Sequence, residues 1–130
     1  MCFSCATFIN AYISGKGEEP RKVRRTLIRY LNLSMILCLQ SISVPVKKRF
    51  PTLKHLVDAG VMTDEERQLV EVTPSPHGVY FQPIVWYCNL LMEAYRDRLI
   101  ANAHFLERLL AVRLVGVLEQ TTVHSGKTVT

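Results

Sequence analysis

Between Pro20 and Pro45 the chain carries an apolar stripe: Val23, Leu27, Leu31, Met35, Cys38 and Ile42 follow one another at steps of three or four residues. That spacing puts all six side chains on one face of a single helix, predicted over about Arg21 to Ser43. Ile28, Ile36 and Leu39 widen the stripe, so the helix should pack on two sides rather than one. Pro20 suits the first turn, where a missing N–H costs nothing, and Glu18 and Glu19 suit the positive end of the helix dipole. Pro45 should stop or kink the helix. A helix buried along two sides requires other helices around it, and the rest of the chain is read with that demand in mind.

Four further helices meet it. Leu53 to Ala59 reads as a short helix, with Thr52 as N-cap and Gly60 as stop. Thr63-Asp64-Glu65-Glu66 has the spacing of a capping box, in which Thr63 caps the backbone and Glu66 reaches back to the Thr63 amide, opening a helix that ends near Val72. Pro83 opens a long helix with Ile84, Tyr87, Cys88, Leu91, Met92 and Tyr95 on one face. A last helix is predicted over Ala103 to Glu119. Gly15–Pro20, Pro45–Pro51 and Thr73–Gly78 punctuate the chain, and no repeat recurs. Strand-like alternation is nowhere sustained, so the fold class is all-α with about five helices. At 130 residues and 48% hydrophobic content the chain suits one domain with a real core.

No segment reads as a membrane span, which needs about 20 mainly apolar residues. Tyr30–Val46 is uncharged but holds Asn32, Gln40, three serines and Pro45. Val72–Met92 opens with a Pro- and Gly-rich turn that leaves about 14 usable residues. The N-terminus has no Lys or Arg before its weakly apolar run and does not read as a signal peptide. Cys2, Cys5, Cys38 and Cys88 are scattered and form no disulfide framework.

Charge is unevenly distributed. Between Lys16 and Arg49 nine bases face two acids, whereas elsewhere seven bases face nine acids. Arg24, Arg25 and Arg29 lie near the N-terminus of the long helix, where a cation typically costs about 0.3–1 kcal/mol. They are the candidate anion- or partner-contact residues. The competing reading is a solvated basic face relieved by pairs such as Glu18 with Lys22. Lys47-Lys48-Arg49 and the Arg21–Arg29 cluster could also meet anionic lipid. Nucleic acid is not expected: only Tyr30 and Phe50 interleave the basic stretch, and no helix-turn-helix spacing occurs. Cys2-Phe-Ser-Cys5 is half of a four-ligand zinc site with no second pair, and His55, His77, His104 and His124 have no ligand spacing, so no metal or cofactor is assigned. No nucleophile elbow, phosphate loop or HExxH motif is present, no catalytic residue is assigned, and the chain does not read as an enzyme. The cluster Tyr80, Phe81, Trp86 and Tyr87 reads first as core packing.

Two segments taken together resemble one family. Arg24 to Glu66 carries Arg24-Arg25-Thr26 with Arg29-Tyr30, then Lys48-Arg49-Phe50-Pro51-Thr52, His55-Leu56-Val57 and Gly60. Phe81 to Asn102 carries the Pro83-to-Trp86 turn and Asn89-Leu90. In this order and spacing they are similar to the cytosolic helical part of bestrophins, with the likeness extending to about Tyr12 and Leu110. The resemblance implies a subunit of a calcium-activated chloride channel at the cell membrane, a homopentamer of largely helical subunits with four membrane-spanning helices each. On that reading residues 1–20 precede the family-like part, 21–111 form the cytosolic helical region between membrane spans, and 112–130 are a divergent tail of the kind that truncation or splicing produces. The neck, the lower constriction and the acidic calcium clasp would all lie outside the chain. Calcium is therefore expected for the parent and its ligands are not expected here. Gln40 stands where the family commonly has Arg, and Pro45 interrupts a run that usually continues. The alternative is a soluble helical interaction module or short isoform that binds full-length subunits or acidic partners.

Overall fold

The computed structural model describes residues 2–74 and 78–111, and among them the fold is all-α. The elements are α1 (Cys2–Tyr12), α2 (Glu18–Ile42), α3 (Val44–Arg49), α4 (Leu53–Asp58), α5 (Asp64–Val72), α6 (Phe81–Arg96) and a last helix, α7, described over 103–111. All five expected helices are present, and α1 and α3 are additional to them. The expected continuation of the last helix to Glu119 lies outside the described residues.

Helix α2 is the spine, and it does pack on two sides. Its N-terminal half sends Leu27 and Leu31 into a core shared with Ile9 and Ile13, with Tyr87, Leu91 and Ala94 of α6, and with Leu106 and Leu109 of α7. Its C-terminal half sends Leu33 and Leu37 into a second core with Leu56, Met62 and Val70, flanked by Tyr80 and Trp86. Burial of that many aliphatic side chains, at about 1.5–3 kcal/mol each, is what holds two short helices such as α4 and α5 in place. Where the cores meet, buried Ser34 donates its hydroxyl to the Tyr80 carbonyl at 3.0 Å.

The boundaries differ from the predicted ones for local reasons. Helix α2 starts at Glu18, so Pro20 is its third residue, still within the turn whose N–H groups have no helical partner. Helix α6 starts at Phe81 rather than Pro83, on turn hydrogen bonds from Phe81 to Gly78 and from Gln82 to Val79. Pro45 does end α2, but it also sits in the first turn of α3, a role that Pro fills as readily as a stop. Thr52 occupies the N-cap of α4, yet its hydroxyl meets His55 Nδ1 at 2.7 Å instead of a backbone amide. The Thr63 capping box forms in both directions. Of the face predicted for α6, Ile84, Tyr87 and Leu91 are buried while Met92 and Tyr95 are exposed. No helix among the described residues is long and apolar enough to cross a membrane.

Candidate functional site

The three arginines singled out by the sequence have three different fates. Arg24 leans back from α2 and donates to the carbonyls of Ile13 (3.2 Å) and Gly15 (3.3 Å). These carbonyls follow the C-terminal end of α1, where a cation is favoured, so the charge expected to be costly at one helix start is placed at another helix's end. The same connection needs Gly15: its φ is +116°, and a Cβ there would lie 2.8 Å from Pro20 Cγ. Arg25 is exposed and has no partner among the described residues.

Arg29 has its acid inside the fold. Its Nη1 and Nη2 donate to Glu66 Oε2 and Oε1, both at 2.7 Å, in the bidentate geometry of strong Arg–carboxylate pairs. Nη1 also donates to the Val61 carbonyl at 3.3 Å. Hydrogen bonding to Glu66 raises the Arg29 pKa above its already high ordinary value, outweighing the opposing effect of burial. The Glu18–Lys22 pair does not form; the ion pairs among the described residues are Arg29–Glu66 and the two that Arg67 makes along α5 with Asp64 and Glu71.

Beside this pair lies a groove of about 260 Å³ lined by Tyr30, Glu66, Leu69, Trp86, Asn89, Leu90 and Glu93. The Tyr30 and Trp86 rings stand 5.8 Å apart at 59°, as two tilted walls. The Arg29 guanidinium lies 5.1 Å from the Tyr30 ring centroid. The Tyr30 phenol is raised above its ordinary pKa, first by burial and then by the negative charge of Glu66, with a smaller push from Glu93; Arg29 opposes the shift. The residue pattern had placed Glu66 in the capping box, Trp86 in the core and Tyr30 among the basic residues. Their convergence requires α5 to fold back across α2, which no local spacing announces.

Among the described residues no group of three or more His, Cys, Asp or Glu is arranged to hold a metal ion. The Cys2 and Cys5 thiols, His77 and His124 lie outside the described side chains. Gln40 and Pro45, the two expected departures from the resemblance, are accommodated locally. Gln40 Nε2 donates to the Phe50 carbonyl, tying α2 to the end of α3, and Pro45 starts that short helix.

The family described as "Bestrophin, RFP-TM, chloride channel" matches residues 2–119. Human Bestrophin-1 is 42% identical over 104 residues, which is 80% of this chain and 18% of that protein. Human Bestrophin-2a is 44% identical over 115 residues, 88% of this chain and 21% of that protein. Bestrophin homolog 17 of Caenorhabditis elegans is 42% identical over 98 residues, 75% of this chain and 20% of that protein. The chain thus spans about a fifth of the length of the curated relatives it matches. The match takes in α1 as well as the segments whose motifs carry the resemblance. The chain belongs to the bestrophin family.

Proposed function

We propose that the chain is the helical cytosolic part of a bestrophin-like anion-channel subunit, and that it serves chloride conduction as channel wall and subunit contact. The observation that carries this reading is the family match over residues 2–119. The absence of any helix among the described residues able to span a bilayer fits a segment lying between membrane spans. In this role Arg24 and Arg29 hold the scaffold together, and Arg25 is the candidate that remains available to an anion, an acidic partner or anionic lipid. Identical subunits in a pentamer would supply the neighbours, and calcium would bind elsewhere in the parent. Enzymatic activity forms no part of the proposal.

A segment exchange tests it. Residues of human Bestrophin-1 aligned with this chain are replaced by those of this chain, and whole-cell chloride current is recorded. Chloride current from the chimera supports the reading. A chimera that reaches the cell surface as an assembled channel and carries no current overturns it.

A second reading is a helical module that binds full-length subunits. It is favoured by the side chains of Phe81, Val85 and Met92 on α6 and of Leu69 and Val72 on α5, all exposed here and needing cover. Co-purification of this chain with co-expressed full-length subunits supports that module. Separation of the two at high expression rejects it.

A further inference from the structure

The groove between α2, α5 and α6 carries a chemistry that an anion channel's wall does not call for. Two carboxylates line it, Glu66 and Glu93, and Arg29 pairs with the first of them. Arg29 and Glu66 neutralise one another through two 2.7 Å hydrogen bonds. That leaves Glu93 on the rim, exposed and with no side-chain partner among the described residues. The groove therefore carries one uncompensated negative charge beside two aromatic walls, Tyr30 and Trp86, whose ring centroids are 5.8 Å apart. Leu69 and Leu90 close the lining with apolar surface.

A cation over an aromatic face is attracted by the ring quadrupole, and an acid beside two rings is the arrangement that receives ammonium and methylated ammonium groups. A strongly hydrated metal ion would want several carboxylate ligands, and no group of three or more His, Cys, Asp or Glu among the described residues is arranged to hold one. At about 260 Å³ the space falls below the ~300–1,000 Å³ typical of drug-sized ligands, so it suits a small head group. The Arg29 guanidinium over Tyr30 shows the same attraction at work within the chain. The negative field of Glu66 and Glu93 also opposes ionisation of the Tyr30 phenol.

We propose that this groove is a binding site for a small organic cation of the ammonium class, seated against the packed Tyr30 and Trp86 pair with its charge facing the Glu93 carboxylate. The proposal does not depend on the chain's role in conduction.

Trp86 is the only tryptophan in the sequence, so its fluorescence reports the site directly. The 130-residue chain is titrated with tetramethylammonium chloride, and in parallel with sodium chloride at the same ionic strength. The expected result is a saturable change in Trp86 emission with tetramethylammonium that sodium does not reproduce. Glu93→Gln should weaken the tetramethylammonium response about fivefold, as an exposed charge partner does. Glu107→Gln, an exposed carboxylate change on α7, should leave it unaltered. An unsaturable response, an equal response to sodium, or a Glu93→Gln titration that overlays the unsubstituted chain overturns the proposal. Circular dichroism of the variants separates loss of binding from loss of fold.

Discussion

Glu66 acts at two places with one carboxylate. It accepts both guanidinium hydrogen bonds of Arg29, and its Oε2 also receives the Thr63 amide at 3.2 Å. The Glu66 side chain is only 12% exposed and that of Arg29 27%, so the pair lies between the surface and core regimes. Exposed pairs contribute about 0.2–1 kcal/mol, and breaking a buried one costs about 3–5. Glu66→Ala should therefore destabilise the chain by about 2–3 kcal/mol in urea unfolding, since the cap bond is lost too. Asp64→Ala, at a side chain 57% exposed, should cost less than about 1 kcal/mol. Equal losses at the two positions would show that the Arg29 pair contributes nothing beyond an exposed one.

Tyr30 adds a pH dependence. Its phenol is raised above the ordinary value of 10.0, so the folded state holds the proton more tightly than the unfolded state. The corresponding stability is complete below the unfolded phenol's pKa and is lost as pH rises through the folded one. Urea unfolding between pH 8 and about 11 should show a steeper alkaline decline in the unsubstituted chain than in Tyr30→Phe. Parallel declines would remove the titration from Tyr30.

At the scale of elements, the helices differ in how plainly the residues announce them. Helix α2 was legible because its stripe is regular over five steps and both its ends carry Pro. Helix α5 was legible because a capping box is a local pattern. Helix α1 was not, since Cys2–Tyr12 has no charged residue and therefore no contrast between faces. Its docking rests on Ile9 and Ile13 in the shared core and on the stack of Phe8, Tyr12 and Phe105. Helix α3 was hidden because Pro45 reads equally as an end and as a beginning. Met92 and Tyr95 share the apolar spacing of α6 but no described element covers them, so periodicity overstated that face.

Two substitutions test this packing. Leu27→Ala removes a fully buried side chain from the core that joins α1, α2, α6 and α7, and should cost about 2–5 kcal/mol by chemical denaturation. Tyr87→Phe keeps the ring but removes the hydroxyl that donates to the Leu109 carbonyl at 3.0 Å, and should cost about 1 kcal/mol. Hydrogen exchange should show the loss first in α7, which that bond ties to α6; a loss spread evenly over all helices would count against that link.

At the scale of the whole molecule, a conducting path needs a lined route across the bilayer, and none of the described helices can provide one. Purified 130-residue chain reconstituted in chloride-loaded liposomes should therefore give no chloride efflux above that of empty vesicles. A reproducible efflux that scales with protein would contradict the proposal that this chain serves conduction as part of a larger subunit.

The residues by themselves determined the family resemblance, the all-α class, the five principal helices and the lack, among the described residues, of any helix able to span a membrane, because each rests on local spacing and on composition. Tertiary structure alone decided which arginine meets which acceptor. The partners of Arg24 lie 9 to 11 residues away and Glu66 lies 37 residues from Arg29. It also decided that Tyr30, Trp86 and Glu93 share a groove. Such meetings depend on how α5 and α6 cross α2, and a crossing is set by the complementary shapes of two buried faces, which periodicity along either chain segment does not encode.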